Sequence, residues 1–282
     1  DFSINVLLLL LLTICSIRGE EISKFTGLKN LHKSIIQSLP FRNPLTHGAS
    51  PTYFLLLVNK LLIVSGETTK TELWPKSGPQ CALPDFPLQI SSAVGIWTAQ
   101  GPMVCGGSGG GIGNKCFLYK EHQWMPWNNM GTARRYASSL QIDQNRALII
   151  GGYGNWNDMK STEVISSSGS EEGKDFPVTI SYHCSFTINS THALVTGGNP
   201  DGLNSASTWF VDLTKTTFTP GPTMKSIRGF HGCAAFQLGS KSFGIVAGGG
   251  ERDSTATEII DLDKESPIWT EGTQDKSKIV YR

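Results

Sequence analysis

Ala147-Leu148-Ile149-Ile150-Gly151-Gly152 is a short apolar run that ends in a glycine pair, and the chain returns to this pattern four more times. The related runs are Leu61–Gly66, Pro102–Gly107, Ala193–Gly198 and Gly244–Gly249; three end in the pairs Gly106-Gly107, Gly197-Gly198 and Gly248-Gly249, while the first has Ser65 before Gly66. Successive last glycines are 41, 45, 46 and 51 residues apart. A period in this range, with β-type runs inside each unit, predicts a repeat architecture rather than one irregular domain.

Working outward from 147–152, the third unit reads as a strand at 137–142, a turn at 143–145, a second strand ending at Gly152, a polar loop at 153–160 and a third strand at 161–165. No window of the repeat region carries a convincing 3.6-residue period, so the reading is all-β. Aligned on the glycines, Thr71-Glu72-Leu73, Thr162-Glu163-Val164 and Thr257-Glu258-Ile259 share a slot. Cys116 is assigned to that slot in the second unit and Trp209 in the fourth. Trp127, Phe218 and Trp269 close their units, and Met130-x-x-x-Arg134 recurs as Met224-x-x-x-Arg228.

Together the glycine pair, the Thr-Glu with its apolar pair, the closing tryptophan and Met-x-x-x-Arg resemble Kelch repeats. The resemblance covers roughly residues 53–272. It is closest to secreted invertebrate Kelch-type proteins in the Cys81-x-Leu83-Pro84-x-Phe86-Pro87, Tyr182-His183-Cys184 and His231-Gly232-Cys233 segments. It implies a Kelch-type β-propeller in which each four-stranded sheet is one blade. The expected domains are a signal peptide at 1–19, a repeat-free leader at 20–52 and a propeller at 53–282. The blades fall at about 53–88, 89–130, 131–177, 178–224 and 225–272, with Lys278–Tyr281 read as the start of a sixth. Kelch propellers commonly have six or seven.

The bulk composition is that of a folded protein: 39% hydrophobic, 17% charged and a net charge of +1. There is no basic cluster or stripe, so nucleic acid is not an expected partner. The chain holds 31 glycines in 282 residues; that is about 11%, against a usual ~7%, and they gather in the repeats. Near the N-terminus, Val6–Ile14 has the length of a signal-peptide h-region, with cleavage expected after Ser16 or Gly19, whereas a membrane span needs ~20 residues. No membrane span is expected after its removal. The chain opens at Asp1 rather than Met and reads as a fragment.

Cysteine usage agrees with an extracellular location. Beyond Cys15 the chain has Cys81, Cys105, Cys116, Cys184 and Cys233, with no Cys-x-x-Cys spacing, which favours disulfides in an oxidising compartment. In the propeller that the resemblance implies, Cys184 and Cys233 lie on the innermost strands of adjacent blades, and an inter-blade disulfide is expected. Cys105 and Cys116 flank one loop and form a second candidate pair, with Cys81 competing for either. Asn189-Ser190-Thr191 is an N-glycosylation sequon between two strand-like runs.

The remaining candidates read as structural. Gly106–Gly111 with Lys115 imitates a phosphate loop, but such a loop must open a helix, and 116–119 reads as a strand. Glu72, Glu163 and Glu258 recur once per unit, which suits buried carboxylates bonded to backbone N–H groups or to Arg134 and Arg228. His32, His47, His122, His183, His192 and His231 lack metal-ligand spacing. No catalytic, cofactor-binding or metal-binding residue is assigned, and no cofactor is expected.

The resulting expectation is a secreted, non-catalytic Kelch-repeat protein that binds a protein or a glycan through the loops after the glycine pairs. Tyr153, Asn155, Trp156, Asn157, Arg252 and Asp253 are the candidate contacts, Trp156 foremost. The alternatives are a copper-radical oxidase resembling galactose oxidase, which needs converging tyrosine and histidine ligands, and an intracellular Kelch adaptor for actin or a ubiquitin ligase.

Overall fold

A computed structural model of the chain describes residues 53–57, 60–64, 68–74, 83–111, 113–249 and 256–272. The signal and leader segments, Gly66, Cys81, Arg252, Asp253 and 278–281 lie outside the described residues.

The fold is all-β. The first sheet has three described strands, β1 (Tyr53–Leu57), β2 (Lys60–Val64) and β3 (Thr71–Trp74). The second is β4 (Val94–Thr98), β5 (Gly101–Cys105), β6 (Cys116–Lys120) and β7 (Gln123–Trp127). The third begins with β8 (Ser138–Gln141) and β9 (Arg146–Ile150) and, after a separate two-stranded ribbon of β10 (Tyr153–Gly154) and β11 (Asn157–Asp158), is completed by β12 (Thr162–Ser166) and β13 (Gly169–Glu172). The fourth holds β14 (Cys184–Thr187), β15 (His192–Thr196), β16 (Thr208–Asp212) and β17 (Thr217–Pro220). The fifth holds β18 (Gly232–Leu238), β19 (Lys241–Ala247), β20 (Thr257–Asp261) and β21 (Trp269–Glu271). All pairings are antiparallel.

Each sheet is a meander, and the core lies between sheets. Val104 and Phe117 of the second sheet pack with Leu62 and Val64 of the first, while Met103 and Leu118 on the other side meet Ala147 and Ile149 of the third. Leu148 and Ile150 face Ala193 and Val195, and Phe186 and Leu194 face Val246 and Ile260. Second strands are therefore covered on both faces, and their continuous apolar runs follow from that. Ala147–Ile150 and Ala193–Thr196 are fully buried. Fourth strands such as β13 (Gly-Ser-Glu-Glu) lie at the rim and carry polar residues.

Two disulfides add to this packing. Cys105 and Cys116 are directly opposite on β5 and β6, with Cα atoms 4.1 Å apart. Cys184–Cys233 joins β14 to β18, the first strands of successive sheets, across 5.9 Å between Cα atoms. Among the described residues no helix is long and apolar enough to cross a membrane.

Candidate functional site

The glycine pairs sit where the second strand of one sheet meets the segment entering the next. Gly152 N donates to Ile180 O at 2.8 Å, and Gly107 and Gly198 bond Arg134 O and Arg228 O in the same way, each at 2.7 Å. At Gly152 (φ +98°) an added Cβ would lie 2.9 Å from Ala137 Cβ, and at Gly198 (φ +96°) 2.7 Å from His183 Cβ. The pairs thus permit a close backbone approach with φ unfavourable to other residues. After Gly107 the chain continues into strand β6, so its amides do not form the N-terminus of a helix.

The recurrent glutamates hold the entry segments. Glu163 accepts hydrogen bonds from Gly131 N at 2.7 Å, Thr132 N at 3.0 Å and Arg134 Nε at 2.9 Å, and a further one from Ser170 Oγ. Burial pushes the Glu163 carboxyl up, but the Ser170 hydroxyl and the charge and hydrogen bond of Arg134 hold it below the ordinary value. Arg134 Nη1 also donates to Gly151 O and Ser161 O. Glu258 repeats the arrangement with Lys225 N, Ser226 N and Arg228, whose Nη1 reaches Gly248 O at 2.6 Å. Glu72 differs, being exposed. Each Met-x-x-x-Arg is thereby a strap, its arginine tying glutamate to glycine pair.

Sheet register corrects one alignment. Glu163 and Glu258 pair with Ile149 and Val246, each three residues before the last glycine. The residue opposite Val104, which has that position in the second unit, is Phe117; Cys116 pairs with Cys105 and occupies the threonine slot. Loop-length variation had displaced the alignment by one. With Phe117 in place, a two-unit alternation emerges. The second unit has Phe86, Ile90 and Phe117 where the third has Met130, Arg134 and Glu163. The fourth has Phe176, Ile180 and Trp209 where the fifth has Met224, Arg228 and Glu258. Backbone bonds Phe86 N→Thr69 O, Met130 N→Asn114 O, Phe176 N→Lys160 O and Met224 N→Ala206 O establish the equivalence. Where the ion pair is missing, edge-to-face aromatic contacts (Phe86–Phe117 at 5.2 Å, Phe176–Trp209 at 5.5 Å) replace it.

Both repeat-related histidines are buried. His183 Nε2 lies 2.8 Å from Ser138 Oγ, and His231 Nε2 lies 2.8 Å from Thr196 Oγ1, each bond crossing from one sheet to the preceding one. Burial lowers His183 to about 3. Burial, then the charges of Arg228 and His183, lower His231 to about 3 as well. Each is a neutral packing element.

One recurrent position was not singled out by sequence. Ser92, Tyr136, Tyr182 and Phe230 each precede the residue that packs on a glycine pair, and all four are left-handed, with φ of 59°, 57°, 55° and 58°. Their backbones form a chain of hydrogen bonds: Tyr136 N to Ser92 O at 3.1 Å, Tyr182 N to Tyr136 O at 3.0 Å and Phe230 N to Tyr182 O at 2.9 Å. The rings stack in the same order, 4.1 Å between the centroids of Tyr136 and Tyr182 and 3.8 Å between Tyr182 and Phe230. For bulky side chains such backbone geometry is a true outlier. Burial, followed by proximity and a hydrogen bond to Tyr136, raises the Tyr182 hydroxyl to about 12, with Arg135 opposing. The signal was present as spacing: each aromatic lies nine residues after the residue opposite the start of the third strand (Trp127, Gly173, Gly221). Counting from the glycine pairs hides it, because the intervening loops differ in length.

Of the expected loop contacts, Tyr153 joins this row: the Arg135 guanidinium lies 4.9 Å from its ring centroid and 5.4 Å from that of Tyr136. Trp156 stands apart at the β10–β11 tip, where Asn155 and Trp156 both have positive φ, as a two-residue hairpin turn requires. Its side chain is 87% exposed. Asn189 is exposed in the β14–β15 turn, its Oδ1 accepting from Thr191 N and His192 N. Comparison of the chain with protein-family models and with curated proteins gives no match.

Proposed function

We propose that the protein is a secreted, non-catalytic Kelch-type β-propeller, its successive sheets serving as blades and its glycine-pair face binding a protein or glycan ligand. The observation that carries this reading is the stacked row of Tyr136, Tyr182 and Phe230, held in left-handed backbone on the face from which Trp156 also projects. Aromatic side chains concentrate binding energy at interfaces, and here they ride on a scaffold cross-braced by two disulfides. The recurrent Glu–Arg pairs support the same reading, because their hydrogen-bonding groups are engaged in holding one segment to the next, as are the Nε2 atoms of His183 and His231. On this reading the five sheets described between 53 and 272 correspond to five blades.

The test is expression of the whole chain in a secretory cell. The expected product is found in the medium with both disulfides intact and a glycosidase-sensitive mass at Asn189, and it binds extracellular ligands through the glycine-pair face. Retention inside the cell with reduced cysteines would overturn the secreted reading. Release of hydrogen peroxide from galactose by the copper-supplemented protein would overturn the non-catalytic one.

A further inference from the structure

We propose that the Phe230 end of the aromatic row is the seat of this chain's own residues 279–281. The Tyr281 ring covers Phe230, the Tyr281 N–H donates to Phe230 O, and Ile279 O accepts from Gly249 N. The proposal goes beyond the interaction-module reading and does not depend on it.

The seat is defined by what its three predecessors hold. Gly107, Gly152 and Gly198 donate their N–H groups to the carbonyls of Arg134, Ile180 and Arg228. Two residues further along each entering segment, the N–H of Tyr136, Tyr182 or Phe230 donates to the carbonyl of the preceding member of the row. Every segment is thus pinned by one accepted and one donated bond. In the fifth unit both counterparts are open: neither Gly249 N nor Phe230 O has a hydrogen-bond partner among the described residues. Gly249 is nonetheless presented as its predecessors are. A Cβ on it would lie 2.6 Å from His231 Cβ, as one on Gly198 would lie 2.7 Å from His183 Cβ. Phe230, on which Tyr182 stacks at 3.8 Å, keeps 49% of its surface exposed. A backbone donor and a backbone acceptor beside an uncovered ring call for one occupant that supplies all three partners.

The occupant follows from a count along the chain. Gly173 N and Gly221 N donate to Thr162 O and Thr208 O, and Gly272 N donates to Thr257 O in the same way at 2.8 Å. Tyr182 and Phe230 lie nine residues after the first two glycines, and Tyr281 lies nine residues after Gly272. Residue type agrees independently. The position two residues before the row member reads Ile90, Arg134, Ile180 and Arg228, and Ile279 continues the alternation. Asp275 does not match Phe86, Met130, Phe176 and Met224 at the preceding slot, so the seat is assigned to 279–281 alone. A segment tethered to the fixed Gly272 amide also meets the seat at high effective concentration, which a free ligand would have to outcompete.

The experiment uses the full chain, deuterated except at phenylalanine and tyrosine. It reads the NOE between the Phe230 and Tyr281 rings, assigned through Tyr281→Ser, together with amide hydrogen exchange at Gly249. The expected result is a ring–ring NOE within one chain, and Gly249 exchange that quickens at least about tenfold when residues 276–282 are removed. Absence of the NOE in the full chain overturns the proposal. So does an NOE seen only between differently labelled chains, which would make a second copy the occupant. Gly249 exchange that the deletion leaves unchanged overturns it as well. The NOE needs no shortened chain, so it decides the matter even if the deletion variant does not fold.

Discussion

Arg228 Nη2 lies 2.9 Å from Glu258 Oε1, and both side chains are sealed from solvent, at 0% and 1% exposure. Attraction between two desolvated charges offsets their dehydration only when the remaining hydrogen-bonding groups are satisfied, and here two backbone N–H groups and two carbonyls complete the set. Glu258→Ala should destabilise the protein by about 3–5 kcal/mol, because it leaves Arg228 buried without its carboxylate. Arg228→Ile with Glu258→Phe imports the Ile90–Phe117 solution of the second unit. In urea melts the double variant should be less destabilised than the sum of the single variants by on the order of 1–3 kcal/mol; strict additivity would contradict the alternation.

The two disulfides should differ in worth. Cys184–Cys233 closes a separation of 49 residues and Cys105–Cys116 one of 11. Chain-entropy reasoning assigns them about 4 and about 3 kcal/mol. Cys184→Ala/Cys233→Ala should lower the urea midpoint more than Cys105→Ala/Cys116→Ala, a difference that denaturation of the two double variants measures.

Acid should weaken the fold well before carboxylates protonate. His183 and His231 have folded values near 3 against 6.5 for the free side chain, so the unfolded chain binds more protons throughout that interval. Stability is full above about 6.5 and falls as pH drops towards 3. The loss should reach about 2 kcal/mol for each histidine by pH 5. His183→Gln should remove about half of the slope of stability against pH between 6 and 4. A flat profile for the parent protein would show that the imidazoles are not buried neutral.

At Tyr182 glycine should be better tolerated than alanine. Both lose the stacking with Tyr136 and Phe230, but alanine retains the left-handed cost and glycine does not. Tyr182→Gly should be more stable than Tyr182→Ala by about 1 kcal/mol, the reverse of the order in ordinary strand positions. Thermal melts of the two variants decide it.

Much of the fold was legible in the strand endings. The runs at 147–152 and 193–198 became β9 and β15 with their glycine pairs, because a strand buried on both faces needs an unbroken apolar sequence and a turn that tolerates close approach. The Glu163–Arg134 and Glu258–Arg228 pairs were also legible, since charged residues recurring in register need partners. The displacement of Cys116 by one position was not. Register is set by hydrogen-bonded strand pairing, and a loop of altered length moves it without leaving a mark in local composition.

Sequence alone therefore determined the all-β class and the strands that end in glycine pairs, because periodicity and residue chemistry are local properties. Tertiary structure decided the candidate site. Tyr136, Tyr182 and Phe230 are 46 and 48 residues apart along the chain, and no local pattern states that their rings stack. They meet because each unit enters the fold through the same left-handed residue, and the backbone bonds between those residues bring three distant side chains into one row.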